Sequence, residues 1–450
     1  MTDLTLRHGL WSSRLAFVLA ASGSAIGLGN IWKFPYLAGD NGGGAFVLVY
    51  LLCVVAIGIP IMMAETLLGR RGRQSPINTL RTLAAEAGAG GFWQGAGWLA
   101  VLAGFLILSY YSVIAGWAMA YILKVGGGFL NQSDAAAVRT AFLELKASPD
   151  LQVIWHTLFM LATLLIVGRG INDGIERATR IMMPALLLML VLLDAYAMTT
   201  GSFQRGLAFL FQPDFSRLGG GSLLTAMGQA FFSLGLGMGS IMVYGAYLPD
   251  RASIAQSAWA VTLADTAVAL AAGIAIFPIV FANGMEPTLG PGLIFETLPV
   301  AFAHMPGGAL FGAVFFALVV LAALTSAIAL IEPTIAYLSE NRGLTRPEAC
   351  LRAGLVCWLL GLGTVFSFNL WANRTWFGKN FFELIDFLTA DLMLPVGGIL
   401  VALFAGWVVE SQVSEAELGS GRGYRLWRVT IRYLAPGAVG LVFLRAIGAI

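Results

Sequence analysis

Polar and charged side chains stand among glycines in residues 22–46 of this 450-residue chain. The segment reads SGSAIGLGNIWKFPYLAGDNGGGAF, and Lys33 is the only charged residue between Arg14 and Asp40. Glycine destabilises a helix by about 1 kcal/mol relative to alanine. Unpaired backbone groups in hydrocarbon are more costly still, so a helix interrupted here must line a cavity or coordinate a ligand. Free carbonyls and the Asn30 amide are groups that can bind a cation at mid-membrane depth.

A second apolar segment repeats this pattern. Residues 228–240 read GQAFFSLGLGMGS, and they place Gly235, Gly237 and Gly239 beside the hydroxyl of Ser233. Glycines at this spacing can also serve only to let two helices pack closely. The recurrence of both glycines and polar side chains favours a binding site formed by two interrupted helices.

Composition indicates the elements that must hold these residues. The chain is 58% hydrophobic and 11% charged, with a formal net charge of +2. Its mean hydropathy is +0.82. A soluble domain carries about 25% charged residues, so this is an all-α polytopic membrane protein. The small net charge predicts no nucleic-acid partner. The cysteines Cys53, Cys350 and Cys357 lie in apolar stretches and are predicted to be core residues.

Eleven apolar segments are long enough to cross a bilayer, which needs about 20 residues each. They are residues 13–36, 43–69, 92–123, 151–168, 175–198, 222–248, 254–283, 309–339, 348–369, 381–409 and 429–448. Residues 284–308 are predicted to form a re-entrant or surface helical hairpin. Placing the N-terminus in the cytoplasm puts 17 of the 26 Lys and Arg residues inside and 8 outside. An odd number of spans then places the C-terminus outside.

The interrupted segments are the first and the sixth, five apart along the chain. This spacing predicts an inverted repeat of five helices plus five within a single transporter domain, residues 1–450. Segments 13–198 form the first repeat and segments 222–409 the second. Segment 429–448 is an additional eleventh helix.

These motifs carry a resemblance to a known family. The stretch 11–46, together with GIPIMMAE, SYYSVIAGW, GQAFFSLGLGMGS, GPGLIFETLP and LTSAIALIEP, resembles the neurotransmitter:sodium symporter family. The likeness covers nearly the whole chain and is to bacterial members, including the leucine transporter and hydrophobic amino-acid transporters with a Gly-Met-Gly segment. It implies the leucine-transporter-like fold with discontinuous helices 1 and 6. It also implies a sodium-coupled symporter that imports hydrophobic L-amino acids, aromatic ones included, by alternating access.

The resemblance implies two sodium sites, and oxygen ligands suit this hard cation. The first site is formed by Ala25, Asn30, Ser233 and Asp265 with the substrate carboxylate. The second site is formed by Gly23, Ile26, Ala322, Thr325 and Ser326. The hydroxyls of Thr325 and Ser326 could instead bond back to their own helix.

Asp265 departs from the family pattern. It is the only charge between Arg251 and Glu286, and the family usually has asparagine at this position. Ala269, one turn later, offers no chloride ligand. A fixed carboxylate beside the sodium predicts transport that does not depend on chloride. The alternative is a buried structural acid, although an intramembrane carboxylate is a functional candidate by default.

The resemblance also places the substrate between the two interrupted helices. Amides of Leu28 and Gly29 and the Tyr111 hydroxyl would bind the substrate carboxylate. Carbonyls of Phe232, Ser233 and Gly235 would accept its ammonium group. The full set of predicted substrate residues is Ala25, Leu28, Gly29, Ile107, Tyr111, Phe232, Ser233, Gly235, Met238 and Leu330. The glycines at 235, 237 and 239 suggest room for bulky side chains.

A gate on each side of the site needs charges that meet in one state and separate in another. On the outside, Lys33 is predicted to face Asp386, with Phe232 as a hydrophobic lid. Most family members have arginine where Lys33 stands, so bidentate pairing is lost. On the inside, Arg7 is predicted to pair with Glu340, supported by Tyr247.

Helix 5 carries a motif of its own. Gly174 and Pro184 match a Gly-x9-Pro pattern of many family members, and proline removes one helix hydrogen bond. The inner half of this helix could therefore unwind and admit water to the second sodium, or the proline could cause a static kink. Three further acids lie in apolar segments: Glu65, Glu332 and Asp391. The sequence assigns no role to Asp391.

Other functions remain to be weighed against transport. An enzyme is disfavoured because His8, His156 and His304 are scattered and no nucleophile motif is present. A channel would need a continuous polar pore lining, whereas the polar residues cluster at one depth. Within the transporter class, another small neutral solute such as glycine, proline or taurine is the alternative substrate. The bacterial inner membrane is the expected location, with two sodium ions as the cofactors and no obligatory protein partner.

Overall fold

A computed structural model describes residues 9–129, 131, 134–285 and 292–449, and these residues form a helical bundle. The helices of this part of the chain are α1 (Arg14–Ala25), α2 (Gly29–Asp40), α3 (Gly44–Gly72), α4 (Pro76–Glu86), α5 (Gly91–Gly126), α6 (Ala135–Ala147), α7 (Pro149–Gly168), α8 (Ile171–Met198), α9 (Phe203–Phe211), α10 (Ser222–Ser233), α11 (Ser240–Ala246), α12 (Ile254–Ala282), α13 (Leu293–His304), α14 (Gly308–Arg342), α15 (Arg346–Ser367), α16 (Phe381–Val408), α17 (Ser411–Leu418) and α18 (Arg422–Ala446).

Nine of the helices in the described residues are individually long and apolar enough to cross a membrane. The pair α1 and α2 forms a tenth span that bends by 54° at its break. The predicted sixth segment, 222–248, consists of two helices, α10 and α11, each too short to cross alone. The described residues are therefore consistent with the eleven predicted segments, two of which are interrupted.

Both interruptions lie where the glycines predict them. In the first span the helix ends at Ala25 and resumes at Gly29. In the sixth, residues 234–239 separate α10 from α11, and Gly235, Gly237 and Gly239 have φ angles of +63°, +82° and +74°. Side-chain-bearing residues rarely adopt this left-handed region. The backbone conformation of the break therefore depends on glycine itself.

The last span begins earlier than the sequence indicates. The prediction starts it at residue 429, but α18 begins at Arg422, because its first turns are amphipathic and too basic for a hydropathy pattern. The guanidinium of Arg428 donates to the carbonyls of Ala405 and Val409, and Arg432 donates to that of Gly406. These arginines satisfy the carbonyls at the end of α16, which would otherwise lack donors.

Helices α5 and α14 pack against each other over a long stretch and form the centre of the bundle. Helix α14 also contacts α1, α8 and α11, so it joins the first interrupted span to the sixth. Of the predicted hairpin, α13 is described, whereas residues 286–291 lie outside the described part of the chain. The three cysteines are buried, as predicted.

We predict that Gly237→Ala destabilises the fold by about 2–3 kcal/mol, because alanine is strained at this φ angle. A Cβ atom at Gly237 would also lie 2.6 Å from the carbonyl oxygen of Leu394. The matched control is Gly440→Ala in α18, where an added Cβ meets nothing within 4 Å. Unfolding by heat or by denaturing detergent measures both. Equal stability of Gly237→Ala and the parent protein would contradict the claim that the helix break requires glycine at position 237.

Candidate functional site

Asn30, Ser233 and Asp265 form a buried polar cluster beside both helix breaks. The Asn30 amide nitrogen lies 2.8 Å from Asp265 Oδ1, 3.0 Å from the Asp265 carbonyl and 3.2 Å from Ser233 Oγ. Ser233 Oγ donates to Asp265 Oδ2 at 2.8 Å. All three residues are at most 2% exposed. An amide has two hydrogens for three acceptors, so the cluster has more oxygen acceptors than donors.

A second cluster surrounds the hydroxyl of Ser326. Its Oγ lies 3.4 Å from the Gly23 carbonyl, 3.1 Å from that of Ser24, 3.3 Å from that of Ile26 and 3.2 Å from that of Ala322. A hydroxyl has only one hydrogen, so it can fully satisfy one of these four carbonyls. A converging group of carbonyl oxygens in excess over donors is the arrangement that a bound cation satisfies.

Thr325 differs from its neighbour in this cluster. Its hydroxyl donates to the carbonyls of Ala322 and Leu321, which belong to the preceding turn of its own helix. This is the back-bonded geometry that the sequence left open as an alternative. The side chain nevertheless lies against α1, since a Cβ added to Gly23 would be 3.0 Å from Thr325 Cβ.

A cavity of about 40 Å³ lies between the two clusters. It brings together all ten of the predicted substrate residues. Its lining is Ala25, Leu28, Gly29, Ile107, Tyr111, Phe232, Ser233, Gly235, Met238 and Leu330, with Ser24, Gly27 and Ser326. The Leu28 amide donates to Tyr111 Oη at 3.2 Å, so a backbone donor and a hydroxyl point to the same space.

The glycines around this cavity have separate structural roles. Gly235 lines it, and a Cβ added there would meet only Met238 and Ser24 atoms, at 3.8–4.0 Å. Gly237 and Gly239 do not line it, and Cβ atoms there would approach Leu394 and Pro76. The expectation that all three glycines enlarge the pocket is therefore wrong for two of them, which are needed for their positive φ angles and close helix approach.

A larger cavity of about 570 Å³ lies on the other side of Phe232. We call it the vestibule, and the ring of Phe232 lines both it and the small cavity. Aromatic side chains from α5, α6, α13, α15 and α16 form much of its wall, including Trp117, Phe295 and Phe382. Burial lowers the pKa of Lys146 in α6, although the Glu296 carboxylate acts in the opposite direction.

Lys33 and Asp386 both line the vestibule, as expected of an outer gate. They do not form an ion pair here, since no carboxylate of the described residues lies within salt-bridge distance of Lys33. The Lys33 ammonium lies instead over the Phe232 ring, 4.2 Å from its centroid. A cation above an aromatic face is stabilised by the ring quadrupole. The lysine therefore contacts the lid rather than Asp386.

Trp11 closes the opposite side of the bundle. Its side chain is 2% exposed, and its indole nitrogen donates to the carbonyl of Tyr244 at 3.0 Å. Its backbone amide donates to the carbonyl of Tyr247 at 2.9 Å. The chain before α1 is thus fixed to the C-terminal end of α11 by two hydrogen bonds.

Glu340 lies near this closure but its partners were not anticipated. Its carboxylate accepts hydrogen bonds from the Ser75 amide, the Ser75 hydroxyl and the Asn78 amide at 2.6–2.7 Å. Arg7, its predicted partner, lies outside the described residues. The sequence did not indicate Ser75 and Asn78 as partners of Glu340. They lie at the start of α4, and Ser75 is 265 residues from Glu340 along the chain.

Glu176 connects the start of α1 to the start of α8. Its carboxylate accepts from the amide of Ser12 at 3.0 Å and its hydroxyl at 2.5 Å, and it pairs with Arg180 at 2.5 Å. Residues Ile171–Glu176, which include Gly174, form a π-helical turn, and Pro184 lies inside the continuous helix that follows. The predicted unwinding of this region stays a prediction, but its N-terminal turn is hydrogen-bonded directly to the chain before α1, at Leu10 and Ser12.

Glu332 and Arg346 form a buried ion pair at the same end of the bundle. The two guanidinium–carboxylate distances are 3.0 and 2.5 Å, and Tyr247 donates to Glu332 at 2.9 Å. Glu332 is fully buried, and the Arg346 side chain is 17% exposed. The sequence marked Glu332 as an acid in an apolar segment and Tyr247 as a gate residue. The structure joins the two through one hydrogen bond.

Comparison with known proteins identifies the family. The family model described as "Sodium:neurotransmitter symporter family" matches residues 8–130 and 143–449. The chain belongs to this family. Its relatives are transporters, so the chain is a sodium-coupled membrane symporter rather than an enzyme.

Individual relatives cover the chain almost completely. It is 38% identical to the uncharacterized sodium-dependent transporter YhdH of Bacillus subtilis (strain 168) over 97% of both chains. It is 27% identical to the human sodium- and chloride-dependent GABA transporter 2, over 98% of this chain and 80% of that one. The crystal structure of MhsT in complex with L-phenylalanine has 42% identity and a TM-score of 0.89, covering 98% of this chain and 100% of that chain.

We predict that breaking the Glu332–Arg346 pair of this symporter is strongly destabilising. Arg346→Gln leaves a buried carboxylate without its cation, and losses of about 3–5 kcal/mol are typical of such changes. Glu332→Gln should have a comparable effect, and the double variant should lose less than the sum of the two. Arg352→Gln, an exposed arginine on the same helix, is the control. Additive losses in thermal unfolding would show that the pair is not coupled.

Proposed function

We propose that this symporter imports hydrophobic L-amino acids, aromatic ones included, with two sodium ions and without chloride. The observation that carries the proposal is the small cavity, which has an oxygen cluster at each end and apolar side chains between them. The polar oxygen atoms are concentrated where the ions and the α-amino and carboxylate groups of the substrate would bind. The remainder of the wall suits an apolar side chain.

The two clusters are the proposed sodium sites. Asn30, Ser233 and Asp265, with the Ala25 carbonyl and the substrate carboxylate, hold the first ion. The carbonyls of Gly23, Ile26 and Ala322 and the hydroxyls of Thr325 and Ser326 hold the second. The excess of acceptors over hydrogens in each cluster supports this, since an added cation relieves lone-pair repulsion that hydrogen bonds cannot. Thr325 would have to turn its hydroxyl from its own helix toward the ion.

The substrate would bind with its carboxylate at the α2 end of the cavity. The amides of Leu28 and Gly29 and the Tyr111 hydroxyl are its donors, and the α2 N-terminus adds a favourable dipole. Carbonyls of Phe232, Ser233 and Gly235 would accept the ammonium hydrogens. The side chain would then lie among Ile107, Met238 and Leu330. The related MhsT structure contains L-phenylalanine, which supports an aromatic side chain here.

Asp265 supplies the argument for chloride independence. It is fully buried against Asn30 and Ser233, and the nearby Ala269 is also fully buried. A carboxylate already balances one sodium charge in this cluster. A chloride ion would add a second negative charge where the alanine methyl offers it no donor.

A small neutral solute such as glycine, proline or taurine is the second candidate. One observation favours it: the cavity is small, about 40 Å³, so a small solute needs less displacement of its walls than an aromatic amino acid does. Movement of Phe232 and Met238 would be required for larger substrates. Competition between phenylalanine and glycine, proline or taurine for the same site decides between the two.

Alternating access would come from the two proposed repeats, residues 13–198 and 222–409, moving relative to each other around the fixed site. Segment 429–448 lies outside them. The proposed location is the bacterial inner membrane, with the N-terminus cytoplasmic and the C-terminus external. The vestibule and Phe232 then face the outside. The proposed inner gate consists of Trp11, Arg7, Glu340 and Tyr247.

The test of this function is uptake of radiolabelled L-phenylalanine into proteoliposomes. We expect uptake that requires an inward sodium gradient and is unchanged when gluconate replaces chloride at constant sodium. Asp265→Asn should raise the sodium concentration needed for half-maximal uptake, because the ion loses a charged ligand. A large loss of uptake in gluconate would contradict chloride independence, and uptake without sodium would contradict the function itself.

The position of Gly235 predicts control of substrate size. Gly235→Ser should weaken binding of Phe, Trp and Tyr by about 10-fold or more relative to Ala and Val, since one misplaced group in an apolar pocket changes affinity about 10–200-fold. Because Gly235 has a φ of +63°, the strain of any side chain must be separated from its volume. Gly235→Ala is the matched control with similar strain and less volume. Competition binding should show a graded aromatic loss, and equal losses for all substrates would contradict the prediction.

A further inference from the structure

Asp391 is an acid without a role in the site described above. It lies in the π-helical segment Phe387–Met393 of α16, ten residues after the helix begins at Phe381. At 1.5 Å per residue this is about 15 Å along the helix from its vestibule end. Its side chain is exposed rather than packed against protein. An ionisable residue at such depth is expected to face water or an opposite charge.

Asp391 lines a third cavity, of about 300 Å³, between α2, α10, α16 and α18. Most of its wall is apolar, with Phe231, Leu394 and Val442 among the lining residues. Lys33 and Phe232 line both this side cavity and the vestibule. The lysine therefore stands at the wall between two spaces, with Asp386 lining one and Asp391 lining the other.

The π-helical turn explains how two acids five residues apart can serve one lysine. In a regular helix of 3.6 residues per turn, residues five apart point about 140° away from each other. Hydrogen bonds between residues i and i+5 widen the turn, so that such residues come closer to the same side. The widened segment of α16 starts immediately after Asp386 and contains Asp391.

Lys33 shares the vestibule with Asp386 and the side cavity with Asp391, so it adjoins both carboxylates. It is paired with neither, since its ammonium lies over Phe232. Two other cations are near. Lys379 also acts on Asp391, and Arg445 lines the side cavity but donates to the Gly221 carbonyl and Thr225 hydroxyl. Lys33 can pair with only one of the two carboxylates at a time, and Asp391 has Lys379 as a further cation nearby.

We propose that Asp391 is a second counter-ion of the outer gate. Lys33 pairs with Asp386 when the vestibule closes and swings past Phe232 to Asp391 when it opens. A lysine can make this exchange because it is a point charge on a flexible stem, whereas an arginine fork would be held by one carboxylate. Between its two partners the ammonium lies over the Phe232 ring, as it does here, and the ring stabilises the cation during the exchange. The role of Asp391 rests on the proposed transport function, but its closeness to Lys33 does not.

Kinetic constants for uptake test the positioning role. Asp391→Asn should lower Vmax about fivefold with little change in KM, because the gate loses the partner that holds it open, and a partly hydrated ion pair is worth up to about this factor. Asp386→Asn should instead raise KM, since occlusion of bound substrate fails. Asp391→Glu should restore Vmax. Glu383→Gln removes a charge from the same helix and keeps an oxygen for its cap on Asn380, so it should leave both constants unchanged. Parallel changes in Asp391→Asn and Asp386→Asn would overturn the proposal.

Thiol cross-linking tests the proximity without any transport. Lys33→Cys combined with Asp391→Cys should be cross-linked in sodium alone by a short bifunctional thiol reagent, whose arm replaces the length of the lysine stem that a direct disulfide could not span. Lys33→Cys with Asp386→Cys should be cross-linked by the same reagent, best with sodium and substrate. Leu388, on the exposed face of the same turn, gives the control pair. The three native cysteines are buried, so fluorescent maleimide reports the engineered thiols. Cross-linking to position 391 no greater than to 388 under every condition would overturn the proposal. Absence of sodium-driven uptake in the parent protein would refute the proposed function and leave this result unaffected.

Discussion

Two broken helices leave backbone carbonyl and amide groups without helical partners in the middle of the bundle. The rest of the structure depends on how these groups are satisfied. In hydrocarbon each unsatisfied carbonyl or amide costs several kcal/mol. Here the carbonyls of Gly23, Ser24 and Ile26 at the first break meet the hydroxyl of Ser326. Asn30 and Ser233, which stand next to the two breaks, form side-chain hydrogen bonds with Asp265. Protein hydrogens do not suffice for these oxygens, and a cation is the natural complement. The need to satisfy the break is thus the physical origin of ion coupling in the proposed function.

The two sides of the central cavity are closed by different means. Toward the vestibule, a single aromatic ring with a lysine above it separates the cavity from about 570 Å³ of space. On the other side, Trp11 is fully inserted, and the ion pair and hydrogen bonds of Glu332, Arg346 and Tyr247 lie beneath it. One side can open by moving one or two side chains, whereas the other requires the chain before α1 to leave its binding surface. Because Glu176 joins that chain to the first turn of α8, release of Trp11 and rearrangement of α8 would be coupled.

The sequence predicted those parts of the site that depend on local composition. Glycines mark both helix breaks, and Asn30, Ser233 and Asp265 are rare polar residues in apolar segments, so their convergence followed from the fold that the motifs imply. Pairings between separate helices could not be predicted in this way. Glu176 with Ser12 and Glu340 with Ser75 join residues far apart in the chain, and only packing brings them together. Glu332 stood out as an acid in an apolar segment, but the sequence did not indicate Arg346 as its partner. The roles of Gly237 and Gly239 were misjudged because sequence shows the absence of a side chain but not the φ angle that demands it. The early start of α18 was missed because its arginines lower the hydropathy of the first turns. Those arginines are hydrogen-bonded to carbonyls at the end of α16, which the sequence does not show.

The central claim is that two sodium ions bind at the two oxygen clusters and that substrate binding depends on them. It is tested most directly by equilibrium binding of labelled L-phenylalanine to purified protein as a function of sodium concentration, with potassium keeping ionic strength constant. The account predicts no binding without sodium and a cooperative sodium curve with a Hill coefficient near 2. It further predicts that Ser326→Ala and Thr325→Ala shift the curve to higher sodium without changing the order of amino-acid affinities. Binding in potassium alone, or a shift in amino-acid preference with an unchanged sodium curve, would contradict it.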